Sequence, residues 1–183
     1  MTVISQWFLV CVVGCCDTIA INKEAYMKKF FKFVLAMIIS FLPGIFGVLF
    51  TPSHSNDVWY NALNNSVLTP DGWVFGFAWT ILYALLGIAL FLIMNNTKTR
   101  LSKTKAYVLF ILQMFLNGLW TYLFFGLHMV GASVLCLIAL LGVSFWMMFA
   151  FKPISKPASY LVWPYLIWLC FALYLNGTIL FLN

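Results

Sequence analysis

Five long apolar runs govern what this chain can fold into: Phe30 to Phe50, Gly72 to Met94, Ala106 to Gly126, Gly131 to Phe151 and Ser159 to Phe181. The one ionised side chain in any of them is Lys32, at the very start of the first. Each run has the roughly 20 residues that a helix needs to cross about 30 Å of hydrocarbon. None shows the period-two alternation of a lipid-facing barrel strand, so each reads as a helix whose backbone groups satisfy one another. The sequence therefore predicts an all-α integral membrane protein, a five-transmembrane-helix bundle whose first partner is the lipid bilayer. Composition agrees, because only 8% of residues are charged against about 25% in soluble domains. With 183 residues, five spans and their connections leave no room for a separate soluble domain.

The cations give the orientation. Lys28, Lys29 and Lys32 lie at the start of the first run, Lys98, Arg100, Lys103 and Lys105 fill the second connection, and Lys152 and Lys156 fill the fourth. The first connection, Thr51 to Asp71, holds Asp57 and Asp71 but no cation, and the third has only His128. Short translocated loops are poor in Lys and Arg, so this alternation predicts the N-terminus inside, and the C-terminus and longest loop outside. Topology and anionic headgroups account for the net charge of +6. The cations form no basic face interleaved with aromatics, and no nucleic acid partner is expected.

Residues 1–26 stand apart. WFLVCVVGCC is apolar like the core of a signal peptide, yet no Lys or Arg precedes it, and Met27 followed by KKFFKF resembles a start of its own. We read 1–26 as a doubtful N-terminal extension, from an upstream start or an extra apolar segment, and 27–183 as the five-helix membrane domain.

Conventional chemistry finds no purchase in this chain. Cys11, Cys15 and Cys16 lie in the extension, and Cys136 and Cys170 are isolated within runs, so no metal spacing arises. His54 and His128 read as solvated loop histidines, and no metal site is expected. No run holds a carboxylate, which removes proton relays and ion-coupled transport sites. Nucleotide-binding and nucleophile-elbow fingerprints are missing as well.

Aromatics and a few amides remain. Trp59, Trp73 and Trp163 sit near predicted membrane ends, where an interfacial belt explains them. Trp79 lies about two turns into its helix, and Trp120 and Trp168 lie beside polar intramembrane residues. Asn117 and Asn176 each interrupt an apolar helix, and an unpaired amide in hydrocarbon is costly, so each must meet a neighbouring helix or a ligand. Helical spacing puts Trp79 with Tyr83, Asn117 with Trp120 and Phe124, and Trp168 with Ala172 and Asn176 on three shared faces. Three such faces, converging, would make an apolar cavity with a few orienting donors, suited to a flat hydrophobic ligand. Gly76, Gly87 and Gly118 could allow close helix approach or leave room for that ligand.

The runs WYNALNNSVLTPDGWVFGFAWTILYALLG, LNGLWTYLFFGLHMVG and WPYLIWLCFALYLNGTILFLN, in this order and spacing, resemble the translocator protein family, also called tryptophan-rich sensory proteins or peripheral benzodiazepine receptors. The likeness runs from about Met27 to Asn183. It implies a five-helix bundle, commonly a homodimer, that binds porphyrins such as protoporphyrin IX and, in some members, cholesterol or benzodiazepine-type ligands. It further implies Tyr60, Trp79, Asn117, Trp120, Trp168 and Asn176 as pocket or pocket-gating residues. Trp79 and Trp168 are implied as catalytic residues if the family's photo-oxidative porphyrin breakdown occurs here. No cofactor is required, porphyrin being ligand or substrate. The chain departs from the family pattern at Leu68 to Asp71, at Phe77 in place of the expected proline, and at Gly177 and Phe181, where a cholesterol-recognition pattern is absent.

Three functions follow as expectations. The first is a porphyrin receptor or sensor. The alternatives are a light- and oxygen-dependent porphyrin-degrading enzyme, and a tetrapyrrole or sterol carrier. Charge placement places the protein in a bacterial inner membrane.

Overall fold

The computed structural model describes residues 4–51, 58–97 and 100–183, with side chains for 23–51, 58–97 and 103–183. The side chains of Cys11, Cys15, Cys16, His54, Asp57, Lys98 and Arg100, each weighed above, lie outside the described residues. The described chain folds as α1 (Ile4–Val48), a short α2 (Val58–Ala62), α3 (Gly72–Asn95), α4 (Arg100–Thr121) with a π-helical turn at Tyr122–Gly126, α5 (Val130–Phe151), a short α6 (Lys156–Tyr160) and α7 (Trp163–Leu182). No strand occurs among the described residues. Five segments are long and apolar enough to span a membrane: Lys23–Val48, Gly72–Asn95, Lys103–Gly126, Val130–Phe151 and Lys156–Leu182. The all-helical, five-span reading of the sequence holds. The α1 backbone is continuous through Tyr26 and Met27.

Packing puts the helices in a ring. α1 lies along α3 and crosses α4, α4 packs on α5, and α5 packs on α7, while α6 bridges α3 and α5 at the lysine-bearing end. α3 and α7 approach each other only sparsely. Two glycines set the α1–α3 approach. A Cβ on Gly87 would lie 2.6 Å from the Met37 sulfur and 2.7 Å from Ser40 Oγ, and one on Gly44 would lie 2.7 Å from the Tyr83 ring. By contrast, a Cβ on Gly76 would meet no atom within 4 Å, and one on Gly118 would make only ordinary contact with Phe46 at 3.6 Å.

The fifth apolar run is not one helix. Ser155 caps α6, its hydroxyl accepting from the Ala158 N–H at 3.4 Å, and α7 begins afresh at Trp163 with Pro164 in its first turn. Proline fits a first helical turn, whose N–H groups have no intrahelical acceptor, and resists any position deeper in a helix. At this end of α3, Lys103 donates to the Asn96 carbonyl, and the Asn96 amide donates to Ile154 O at 2.7 Å.

The distribution of side chains suits lipid as the solvent. Asn117, Thr121, Ser133 and Asn176 are buried inside and hydrogen-bonded, whereas Phe115, Ile138, Trp146 and Ile167 face outward. A bilayer rewards that arrangement, since polar groups find partners only within the bundle.

Candidate ligand-binding site

The aromatic faces of α3, α4 and α7 meet inside the ring. Trp79 stacks on Tyr83 at 5.4 Å between centroids and lies 5.9 Å from Trp120, 6.2 Å from Tyr165 and 6.4 Å from Trp168. Trp120 in turn stacks on Phe124 at 6.2 Å. These distances fall within the range at which aromatic rings attract beyond simple burial. Trp79, Tyr83, Trp120, Phe124 and Trp168 therefore form one contiguous cluster, as their spacing suggested.

A buried amide ties its floor together. The Tyr83 hydroxyl donates to Asn117 Oδ1 at 2.6 Å, and Asn117 Nδ2 donates to the Tyr165 hydroxyl at 3.1 Å. One side chain on α4 thus fixes two rings that support Trp79, one from α3 and one from α7. Gly44 makes the arrangement possible by leaving room for the Tyr83 ring against α1.

Ala172, one helical step from Trp168, is buried in the core against which Trp79 and Trp168 pack, whereas Asn176 is engaged on another side of the helix. Asn176 Oδ1 accepts from Ser133 Oγ at 3.0 Å, and its Nδ2 donates to Ala172 O at 3.2 Å, so this amide joins α7 to α5. The reason lies in helix geometry: two steps of four residues from Trp168 accumulate about 80° of rotation.

The last turn of α4 widens the cluster. The Leu127 N–H bonds Tyr122 O, five residues back, at 2.9 Å. This π turn brings the sequence neighbours Phe124 and Phe125 to the same space: their rings lie 4.8 Å apart, and Phe125 reaches Trp120 at 6.4 Å. Such turns carry one extra residue per hydrogen-bonded ring and frequently occur at functional sites.

Residues of the first connection cover this end. Tyr60 packs 6.4 Å from Phe124 and 6.0 Å from Phe125, and burial pushes its hydroxyl above the ordinary tyrosine range, so it stays neutral at physiological pH. Trp59 lies edge-on to Phe124 at 5.5 Å and stacks on His128 at 4.0 Å. Trp59 is thus part of the cover as well as of any interfacial belt, and His128, although exposed, is held by that stack with a φ of 56°. Asn64 secures the loop: its backbone N–H donates to Asn183 Oδ1 at 2.9 Å, and Asn183 Nδ2 donates to Asn64 O at 3.3 Å. Ser66 and Tyr174 share a further hydrogen bond of 3.1 Å.

Two donors inside the cluster have no protein acceptor. The indole N–H groups of Trp120 and Trp168 are buried and unpartnered, at a cost that a hydrogen-bonding ligand would relieve. Trp73, 69% exposed, takes no part in the cluster, and Phe77, where the family likeness suggests proline, points outward at 62% exposure. No group of three or more potential metal ligands occurs among the described residues.

Tyr165, Phe125 and Trp59 pack against the cluster but are not singled out as members of it by the sequence reading. Tyr165 had a usable signal, because it lies three residues before Trp168 on the same helical face.

Comparison with known proteins gives concordant matches. The family model described as the TspO/MBR family matches residues 34–182. The chain is 35% identical to the Tryptophan-rich protein TspO of Chlorobaculum tepidum over 156 residues, 85% of this chain and 98% of that relative. It is 37% identical to the Tryptophan-rich protein TspO of Archaeoglobus fulgidus over 153 residues, 83% of this chain and 97% of that relative. With the Tryptophan-rich sensory protein of Cereibacter sphaeroides it shares 31% over 153 residues, 81% and 92% of the two chains.

Proposed function

This chain belongs to the TspO/MBR family, and from that premise we propose that it is a membrane receptor or sensor binding porphyrins, with protoporphyrin IX as the representative ligand. The observation that carries the reading is the cluster of Trp79, Trp120, Tyr83, Phe124 and Trp168 with two buried indole donors awaiting an acceptor. Aromatic walls suit the faces of a conjugated macrocycle, and the donors suit carbonyl or carboxyl substituents at its edge. In this reading the lysine-bearing end faces the cytoplasm and the Tyr60 loop faces the periplasm of a bacterial inner membrane. A homodimer is part of the same proposal, its helix faces shielded in part by a second copy.

The test is titration of the detergent-purified protein with protoporphyrin IX, read by tryptophan quenching in the dark and by absorbance under illumination. Saturable binding, weakened about tenfold or more by Trp168→Ala through loss of one ring wall and one donor, is the expected result. A new light-dependent product, lost in Trp79→Phe, would move the assignment from sensor to porphyrin-degrading enzyme. Binding that never saturates would remove the tetrapyrrole reading and leave the fold intact.

A further inference from the structure

The lipid-facing side of the bundle carries an apolar groove of about 260 Å3 between α3 and α7, walled by Phe77, Ala78, Ile81 and Leu82 on one side and by Pro164, Ile167 and Trp168 on the other. It lies along the seam where these two helices touch only sparsely, above the level at which α6 ties α3 into the bundle. One of its walls is also a wall of the aromatic cluster. Trp168 faces the groove and, on its inner side, meets Phe75 at 6.0 Å and Trp79 at 6.4 Å. Its ring is half-buried, and its indole N–H makes no hydrogen bond that would pin it.

The opposite approach is latched. From the Tyr60 end, a ligand would have to displace the Trp59–His128 stack, the Tyr60 contacts with Phe124 and Phe125 and the hydrogen bonds that Asn64 makes with Leu182 and Asn183. On the bilayer side the Trp168 indole stands between groove and cluster, packed against the rings of Phe75, Trp79 and Phe171 but held by no hydrogen bond. A ligand apolar enough to favour an aromatic pocket is also concentrated in the membrane rather than in water.

From these observations we propose that the ligand enters sideways from the bilayer, through the α3–α7 seam, with Trp168 as the door. The proposal rests on the porphyrin-binding reading and specifies how that site is reached: the partner is a flat hydrophobic molecule already dissolved in lipid. A flat ring presented edge-on needs little more than the thickness of one aromatic side chain, which rotation of Trp168 supplies. Phe77 and Ile167, exposed at 62% and 66%, form the outer lips of the seam.

A change confined to a passage alters the barrier and leaves both end states alone, so association and dissociation must slow by one factor at constant affinity. The experiment is stopped-flow mixing of protoporphyrin IX with the full chain in liposomes, read by the porphyrin's own fluorescence. It compares the wild type with Ala78→Phe and Ile167→Phe, two independent ways of filling the groove, and with Asn64→Ala, which weakens the loop latch by removing the side-chain bonds to Leu182 O and Asn183 Oδ1. The expected result is both rates slowed on the order of tenfold in the groove variants, an unchanged Kd, and wild-type rates in Asn64→Ala. Unchanged rates in both groove variants, or faster association in Asn64→Ala alone, would overturn the portal and put entry at the loop. A weakened Kd with unequal rate changes would also overturn it, making the groove part of the binding site itself. Absence of saturable binding by the wild type would instead remove the porphyrin reading, and the portal with it.

Discussion

Replacing Asn117 with Leu tests whether one amide holds the floor of the cluster. The substitution conserves approximate volume but removes the acceptor of Tyr83, 2.6 Å away, and the donor to Tyr165, 3.1 Å away. Both phenol hydroxyls belong to rings with little exposure, 5% for Tyr83 and 0% for Tyr165, so water cannot replace the lost partner. Hydrogen bonds inside membrane bundles contribute about 0.6 kcal/mol each on average, and a stranded buried hydroxyl adds about 1 kcal/mol. Two of each bring the expected destabilisation to about 3 kcal/mol. In a Tyr83→Phe, Tyr165→Phe background the hydroxyls are already gone, and the same Asn117→Leu change should cost less than about 1 kcal/mol. Equilibrium unfolding from detergent micelles, followed by tryptophan fluorescence, measures both values. Equal costs in the two backgrounds would refute the bridge, because the amide would then act through packing rather than through the two phenols.

Gly44→Ala places a Cβ 2.7 Å from the Tyr83 ring and should lower stability by about 1–3 kcal/mol, whereas Gly76→Ala, with no atom within 4 Å, should be neutral or stabilise by about 0.5–1 kcal/mol; thermal melts of the two variants side by side decide it. Asn64→Ala removes the side-chain donor to Leu182 O at 3.3 Å, and hydrogen exchange should then quicken over residues 58–66 while α3 and α4 keep their protection.

The five spans were legible because a bilayer imposes length and apolarity together, and few sequences meet both by accident. What hydropathy missed is the break before Trp163: Pro164 at the start of a helix and Pro164 inside a longer apolar run look alike until the capping by Ser155 is seen. The site was legible wherever a single helical step of three or four residues connects its members, as for Trp79 with Tyr83 or Asn117 with Trp120. Asn176 shows where that reasoning weakens, since rotation accumulated over two turns carried it toward Ser133. Trp59 was hidden for another reason, because a tryptophan near a membrane end fits the interfacial belt equally well, and only its stack on His128 shows the second role. Phe125 left no trace, as a helical wheel sets it about 100° from Phe124.

That last residue shows what the π turn at Tyr122–Gly126 means for change by insertion and deletion. A π turn is an α turn carrying one extra amino acid, so losing a single codon here would restore regular winding without altering the five-helix topology. Such a deletion would leave one phenylalanine, rather than the adjacent pair, at the upper wall of the cluster. The upper wall of the aromatic cluster can therefore be changed in one discrete genetic step, whereas point substitutions would have to rebuild it one side chain at a time.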